Sequence, residues 1–209
     1  MARTIAKDHD EKRAALLATA ARFFAETGYD RASMSELAKA CGVSKALIYH
    51  YYESKDALLF DILDTHLSEL LEAVEAIPPA PDPQAALFAL TETILGAYRD
   101  ADAEHKVQLD ALGTLPEESR KALKAIQRRL VEIMAETIRA TQPELFARRS
   151  DLLKPVAMSA FGMLNWFYMW YREGSGLGRE AYAKLVADLI LGGLDRIAQG
   201  KAQTLEITK

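Results

Sequence analysis

The chain reads as an all-α protein, and three observations carry that reading. Helical periods of apolar residues run through nearly all of its 209 residues. Strand signals are missing: alternating β-branched runs are few, and no Asn-Gly or Asp-Gly pair marks a hairpin. Glycine and proline fall between the periodic segments, at Gly28, Gly42, Pro78–Pro83, Gly113, Pro143 and Gly174–Gly178. About nine helices are expected. Three form an N-terminal domain over residues 1–55, and the rest form a second helical domain over 56–209.

The first helix carries Leu16, Leu17, Ala20, Ala21 and Phe24 on one stripe and ends near Gly28. Ser33 followed by Glu36 is a capping box, which satisfies open backbone N–H groups at a helix start. Met34, Leu37, Ala38 and Cys41 then recur at helical spacing and make one inner face. Gly42 ends that helix, because glycine enters the left-handed region without a Cβ clash. Val43 plugs the corner and Ser44 caps a third helix over 45–52. Neither short helix is stable alone, so tertiary packing must hold both.

Asp56 opens a long helix with Leu59, Ile62, Leu63, Leu67, Leu70, Val74 and Ile77 inside. Its polar positions from 56 to 76 hold six carboxylates and no Lys or Arg. The proline-rich stretch 78–83 breaks it and makes a stiff connector. Further helices are expected over 83–100, with Leu87, Leu90, Ile94 and Leu95 inside, and over 103–112. Pro116-Glu117-Glu118 suits a helix start for the next, to about Ala140. Residues 151–172 form a helix apolar nearly all round, and a last helix runs over about 180–199.

Residues 33–55 carry the chemistry. Ile48 and Tyr52, four apart, face inward, which leaves Lys45, Ala46, Leu47, His50 and Tyr51 on the outside. Two short helices around a glycine turn, the second with such a face, are a helix-turn-helix that fits the major groove of double-stranded DNA. Lys45 reaches a guanine edge or a phosphate; Ala46 and Leu47 suit thymine methyls. Tyr49, Tyr51 and Lys55 carry donors for phosphate oxygens.

Residues 10–60 resemble the N-terminal domain of the TetR family of bacterial transcriptional regulators. The resemblance rests on Ala21–Asp30, Ser33, Ser35, Leu37-Ala38, the run Gly42 to Tyr52, and Ser54–Leu58. It implies phosphate contacts at Ser35, Tyr49, Tyr51 and Lys55, base reading at Lys45, Ala46, Leu47 and His50, and a homodimer on a pseudo-palindromic operator. Tyr52 departs from the family, which more often has Phe there. Its added hydroxyl must find a partner.

Charge agrees once it is divided. The net charge is −4, yet residues 1–55 hold nine Lys/Arg and seven Asp/Glu, a net of +2, and 56–209 a net of −6. A head so mildly basic binds DNA weakly and with strong salt dependence. Two heads on one dimer supply affinity through effective concentration. One cysteine excludes an internal disulfide, and Cys41 reads as a small buried hydrophobe. No run of 18 apolar residues and no leader pattern is present, so a cytoplasmic protein without membrane contact is expected.

A helix apolar on all sides needs neighbours on all sides. Ser159, Asn165, Lys154, Arg172 and Glu173 argue against a bilayer around 151–172. One side is expected to face its own domain and the other a second subunit. Leu164 and Tyr168, with Leu189, Gly193 and Ile197 of the last helix, are the expected dimer contacts. Asn165 must be hydrogen-bonded, and Gly162 leaves a gap. A pocket for an amphipathic inducer is therefore expected around Phe161, Gly162, Asn165, Trp166, Met169 and Trp170, with Leu130 and Met134. Residues 116–149 hold eight Lys/Arg against five acids, and Arg128 and Arg129 suit an anionic head group. The segment 161–174 also resembles family members that sense acyl-coenzyme A thioesters, which implies an acyl- or aryl-CoA inducer. Two other readings are a sensor of lipophilic drugs on the same scaffold and a helical enzyme using His66 or His105. No nucleophile motif, metal spacing or phosphate loop supports the enzyme, and no cofactor is expected.

Overall fold

The helix ends follow local chemistry. In the computed structural model, which describes residues 2–172, 174 and 176–200, helix α1 runs Ala2–Thr27 and stops at Gly28, whose φ is +84°. Helix α2 (Met34–Ala40) starts on the complete Ser33/Glu36 capping box. Gly42 turns the chain at φ +66°, and Ser44 accepts the Leu47 N–H at 3.1 Å to start α3, Lys45–Tyr51. Glu173 and Ser175, placed by the sequence beside and within the glycine-rich break, lie outside the described residues.

Helix α4 spans Lys55–Glu75. Asp82 caps α5 (Pro83–Ala97) by accepting the Ala85 N–H at 2.8 Å, with Pro83 in the first turn where a missing N–H costs nothing. Helix α5 ends three residues before the expected Asp100, which instead takes a left-handed φ of +63° that Asp tolerates better than most residues. Helices α6 (Asp102–Ala111) and α7 (Glu117–Thr141) flank a 3-10 turn at Leu112–Thr114. Then come α8 (Pro143–Arg148), a 3-10 turn at Ser150–Leu152, α9 (Leu153–Asn165), α10 (Phe167–Trp170) and α11 (Arg179–Ala198). The protein is all-α.

The expected single helix over 151–172 is thus divided. Trp166 interrupts it, and the register changes there. Phe167 goes inside, stacked on Tyr171 at 4.4 Å and against Tyr182 at 4.9 Å, while Trp166 stays 58% exposed. This break and the short α8 account for the two helical segments beyond the nine expected.

Packing forms two compact units. The first comprises Met1–Glu69 with Asp100–Ile126. Its core is Leu17, Ala20, Ala21 and Phe24 of α1, Leu37 and Ala38 of α2, Ile48 of α3, and Leu58, Leu59 and Ile62 of α4. Helix α6 lies along α1, and Lys106 donates to the Ala25 carbonyl at 2.7 Å, closing the C-terminal turns of α1. Beyond α3 the packed unit includes the first turns of α4, all of α6 and the start of α7.

The second unit comprises Leu70–Arg99 with Gln127–Lys209. Its centre is α5 against α11, with α9 beside them. Leu87, Leu90, Ile94, Leu95, Met134, Ile138, Ala157, Ala160, Val186 and Leu194 are buried there.

Two histidines sit in the core of the first unit. His66 of α4 and His105 of α6 are buried, their rings edge to face at 6.3 Å. Burial, aided by the neighbouring His105, lowers the His66 pKa to about 4. The unfolded chain then binds a proton that the folded chain refuses, so stability is full above pH 6.5 and falls as pH drops towards 4. From this group alone the protein is expected to be about 2 kcal/mol less stable at pH 5 than at pH 7.5. Denaturant titrations of wild type and His66→Gln at both pH values test this: the variant's loss must be smaller.

Candidate nucleic-acid interface

Helix α3 presents the face expected of it. Lys45, Ala46, Leu47, Tyr49 and His50 are exposed, Tyr51 is half-buried, and Ile48 is fully buried. Lys45 lies over the Tyr49 ring at 5.6 Å, one helical turn apart, so the two are already aligned on the outside. Ser35 is exposed on α2. The Ser44 cap leaves the N-terminus of α3 outward, where N–H groups favour phosphate.

Lys55 is placed differently from the rest. Its ammonium donates to the carbonyls of Tyr29 at 2.7 Å and Ala32 at 3.1 Å and lies 4.2 Å from the Tyr29 ring centre. Two of its three donors are therefore spent on the turn after α1. The Tyr29 hydroxyl donates to Asp56, and burial and that carboxylate push its pKa up. Together Lys55 and Asp56 pin the start of α4 to the turn between α1 and α2.

Asp61, one turn and a half further along α4, was not singled out by the sequence. Its carboxylate accepts the Tyr52 hydroxyl at 2.5 Å and Arg13 Nε at 3.1 Å, and Arg13 Nη2 forms the second half of a bidentate pair. The extra hydroxyl of Tyr52 thus has its partner. Burial and Asp61 together push the Tyr52 pKa up, so the phenol stays a donor. Asp61 lies 48 residues from Arg13, and no local pattern announces such a pair.

A surface groove of about 350 Å³ lies beside this face, lined among others by Leu16, Thr19, Cys41, Val43, Leu47 and Tyr51. Cys41 is half-buried there, not enclosed as the apolar spacing suggested, because it is the residue that caps α2. Burial pushes its thiol pKa up.

The second unit rearranges the expected ligand and dimer residues. Leu130, Met134 and Phe161 are buried. Asn165 has the hydrogen bond it needs: the buried Tyr98 hydroxyl donates to its Oδ1 at 2.9 Å. Gly162, Trp166, Met169 and Trp170 are exposed, and the space beside Gly162 is open. Leu164, expected at a dimer contact, is 1% exposed within the single chain. The cause is register: a helix apolar all round gives no phase from which to choose the outer face. Leu189 and Gly193 are exposed and Tyr168 and Ile197 half-buried.

Several cations of the basic run 116–149 are engaged. Arg120 donates to the Gly113 and Leu115 carbonyls, Lys121 pairs with Glu117 and Glu118, and Arg149 pairs with Asp151. Arg129 pairs with Glu75 at 3.1 Å, and Arg128 is exposed. Phe167 and Tyr171 hold the Arg179 guanidinium at 5.0 and 5.6 Å from their ring centres. Among the described residues, no group of three or more His, Cys, Asp or Glu could hold a metal ion, and no helix is long and apolar enough to cross a membrane.

Residues 16–62 match the model of the bacterial regulatory proteins of the tetR family, and residues 80–194 match the tetracyclin repressor-like C-terminal domain. The chain belongs to the TetR family. A solved TetR-family transcriptional regulator from Bordetella parapertussis 12822 is 34% identical, with a TM-score of 0.79 over 86% of this chain and 93% of that one. The HTH-type transcriptional repressor KstR2 of Rhodococcus jostii is 26% identical over 88% of this chain and 91% of its own. AibR, solved in complex with isovaleryl coenzyme A and operator DNA, is 28% identical with a TM-score of 0.70, over 87% of this chain and 97% of its own. The protein is a DNA-binding transcriptional regulator of this family, and α3 is the second helix of its helix-turn-helix.

The two lysines of the interface are expected to separate. Lys45→Ala leaves the melting temperature in place and weakens operator binding about tenfold. Lys55→Ala lowers stability by about 1–2 kcal/mol, because two carbonyls lose a charged donor. Paired melting and DNA-binding measurements decide it; equal melting temperatures for both variants would remove Lys55 from its structural role.

Proposed function

We propose that this regulator is a homodimeric, cytoplasmic repressor, released from a pseudo-palindromic operator by an acyl- or aryl-CoA thioester. The observation that carries the ligand class is the likeness to AibR, whose structure holds isovaleryl coenzyme A together with operator DNA. In this chain the acyl group is expected against Leu130, Met134 and Phe161, with Asn165 and Tyr98 as polar partners. The anionic end is expected on Arg128 and on Arg129, whose exposed pair with Glu75 is weak enough to exchange. A lipophilic-cation sensor has less support. Its aromatic cage would be Phe167 and Tyr171, and Arg179 already fills it. An enzyme has less still, since the relatives are transcriptional regulators and His66 and His105 are core residues.

Dimerisation is supported by an apolar face that is exposed among the described residues. Met158, Trp166 and Met169 on α9–α10, and Leu185 and Leu189 on α11, are 41–58% exposed. Gly192 and Gly193 on α11 are exposed, and a Cβ there would meet nothing within 4 Å. That leaves room for a second copy's backbone. The two helices from each subunit then make a four-helix interface.

Two measurements test the reading. Across a panel of short-chain, branched and aromatic CoA thioesters, at least one is expected to raise the melting temperature and weaken operator binding about 5- to 150-fold, the usual span of allosteric coupling. A panel that changes neither quantity refutes the thioester. Leu189→Glu is expected to turn the dimer into a monomer by sedimentation and to cost most of the operator affinity; an unchanged sedimentation profile would refute the proposed face.

A further inference from the structure

We infer that Asp61 and Tyr52 are positioning residues for base reading: they fix the angle of α3, and so govern sequence discrimination more than bare DNA affinity. The inference rests on the reading of the outer face of α3 as the base-reading surface.

The recognition helix is seven residues long, about 10 Å at 1.5 Å per residue. Its only fully buried side chain is Ile48, near the middle. Apolar packing at one central point resists lifting but tolerates rotation, since dispersion contacts have no strong directional preference. A second fixed point is needed to set the axis. Tyr52, the residue that ends α3, supplies it.

The ring of Tyr52 is 7% exposed, so a Phe would fill the same volume. What the hydroxyl adds is a directional bond to Asp61. Asp61 cannot drift to follow a moving Tyr52, because Arg13 holds both of its oxygens from α1. One carboxylate on α4 therefore ties α1 and the end of α3 together. Lys55 and Asp56 tie α4 to the turn after α1 but do not touch α3. Among these polar ties, only the Asp61 bond reaches the recognition helix.

Geometry turns this into specificity. A swing of roughly 10° about Ile48 moves a side-chain tip about 10 Å away by about 2 Å, which breaks a base-edge hydrogen bond. The same swing barely alters attraction to phosphates, which acts over a Debye length of about 10 Å. Loosening α3 should therefore cost base contacts and spare backbone contacts.

The test uses the full chain and two duplexes: the tightest sequence that wild type selects from a random pool, and a scrambled version of it. Tyr52→Phe is expected to weaken binding to the selected duplex about fivefold, the worth of about one net hydrogen bond. Binding to the scrambled duplex should stay within about twofold, with an unchanged salt slope. Asp61→Asn should lower the ratio further, and adding Tyr52→Phe to it should change little more, since both remove one connection. If both affinities fall in proportion, the pair is merely structural and the inference is overturned. An unchanged ratio in Tyr52→Phe overturns it as well, and that variant keeps the buried ring should Asp61→Asn fail to fold. If wild type selects no sequence from the pool, the base-reading assignment of α3 itself fails, and this inference with it.

Discussion

The carboxylate of Asp61 is the constraint on which the reading head depends. Helices α2 and α3 have seven residues each, too few to persist without tertiary support. Their apolar contacts are modest, with Met34, Leu37 and Ala38 from one and Ile48 from the other. The remaining order comes from the N-terminal turns of α4, which pack within the same unit. Asp61 fixes α1 and the end of α3 to those turns, while Asp56 and Lys55 fix the turn before α2. The head is therefore one piece with the first turns of α4.

Much of this was legible in the residues. Caps and turns are local chemistry, so Ser33 with Glu36, Ser44 and Gly42 marked helix ends that the structure keeps. One-sided helices were legible too, because a stripe such as Leu59, Ile62, Leu63 and Leu67 has one phase. The outer face of α3 followed from Ile48 and Tyr52 by subtraction. Three features were not legible, each for its own reason. The Asp61 bond to Arg13 spans 48 residues, and polar pairs at that range leave no periodic trace. The helix 151–172 has apolar residues on every side, so its phase was undetermined; Leu164 is buried within the chain and Trp166 is exposed. The basic run 116–149 could be counted but not paired, and partners at Gly113, Glu117, Glu118, Glu75 and Asp151 engage Arg120, Lys121, Arg129 and Arg149.

The sequence places six carboxylates and no Lys or Arg on α4 from 56 to 76. Two of them, Asp56 and Asp61, hold the head, and Glu75 pairs with Arg129. Acids that close to a DNA-binding surface would repel phosphate if left exposed. Asp61 is neutralised by Arg13 and Asp56 is engaged by Tyr29, so their field beyond the head is reduced.

Internal bonds take up part of the head's positive charge. The head's formal net of +2 includes Arg13 and Lys55. Both are spent on internal oxygens, and Lys45 is the one cation on the exposed face of the recognition helix. Fewer free cations mean fewer displaced counterions, so a single head has less nonspecific affinity than its composition suggests. Such a head is poorly suited to act alone but well suited to discriminate, because a small electrostatic background leaves base contacts a larger share of the binding energy. In the proposed dimer, affinity would come from joining two heads through the exposed apolar residues of α9 and α11. On this view the weak charge of the reader and the exposed Trp166 and Leu189 are two sides of one design: selectivity resides in the head, and avidity in the far end of the chain.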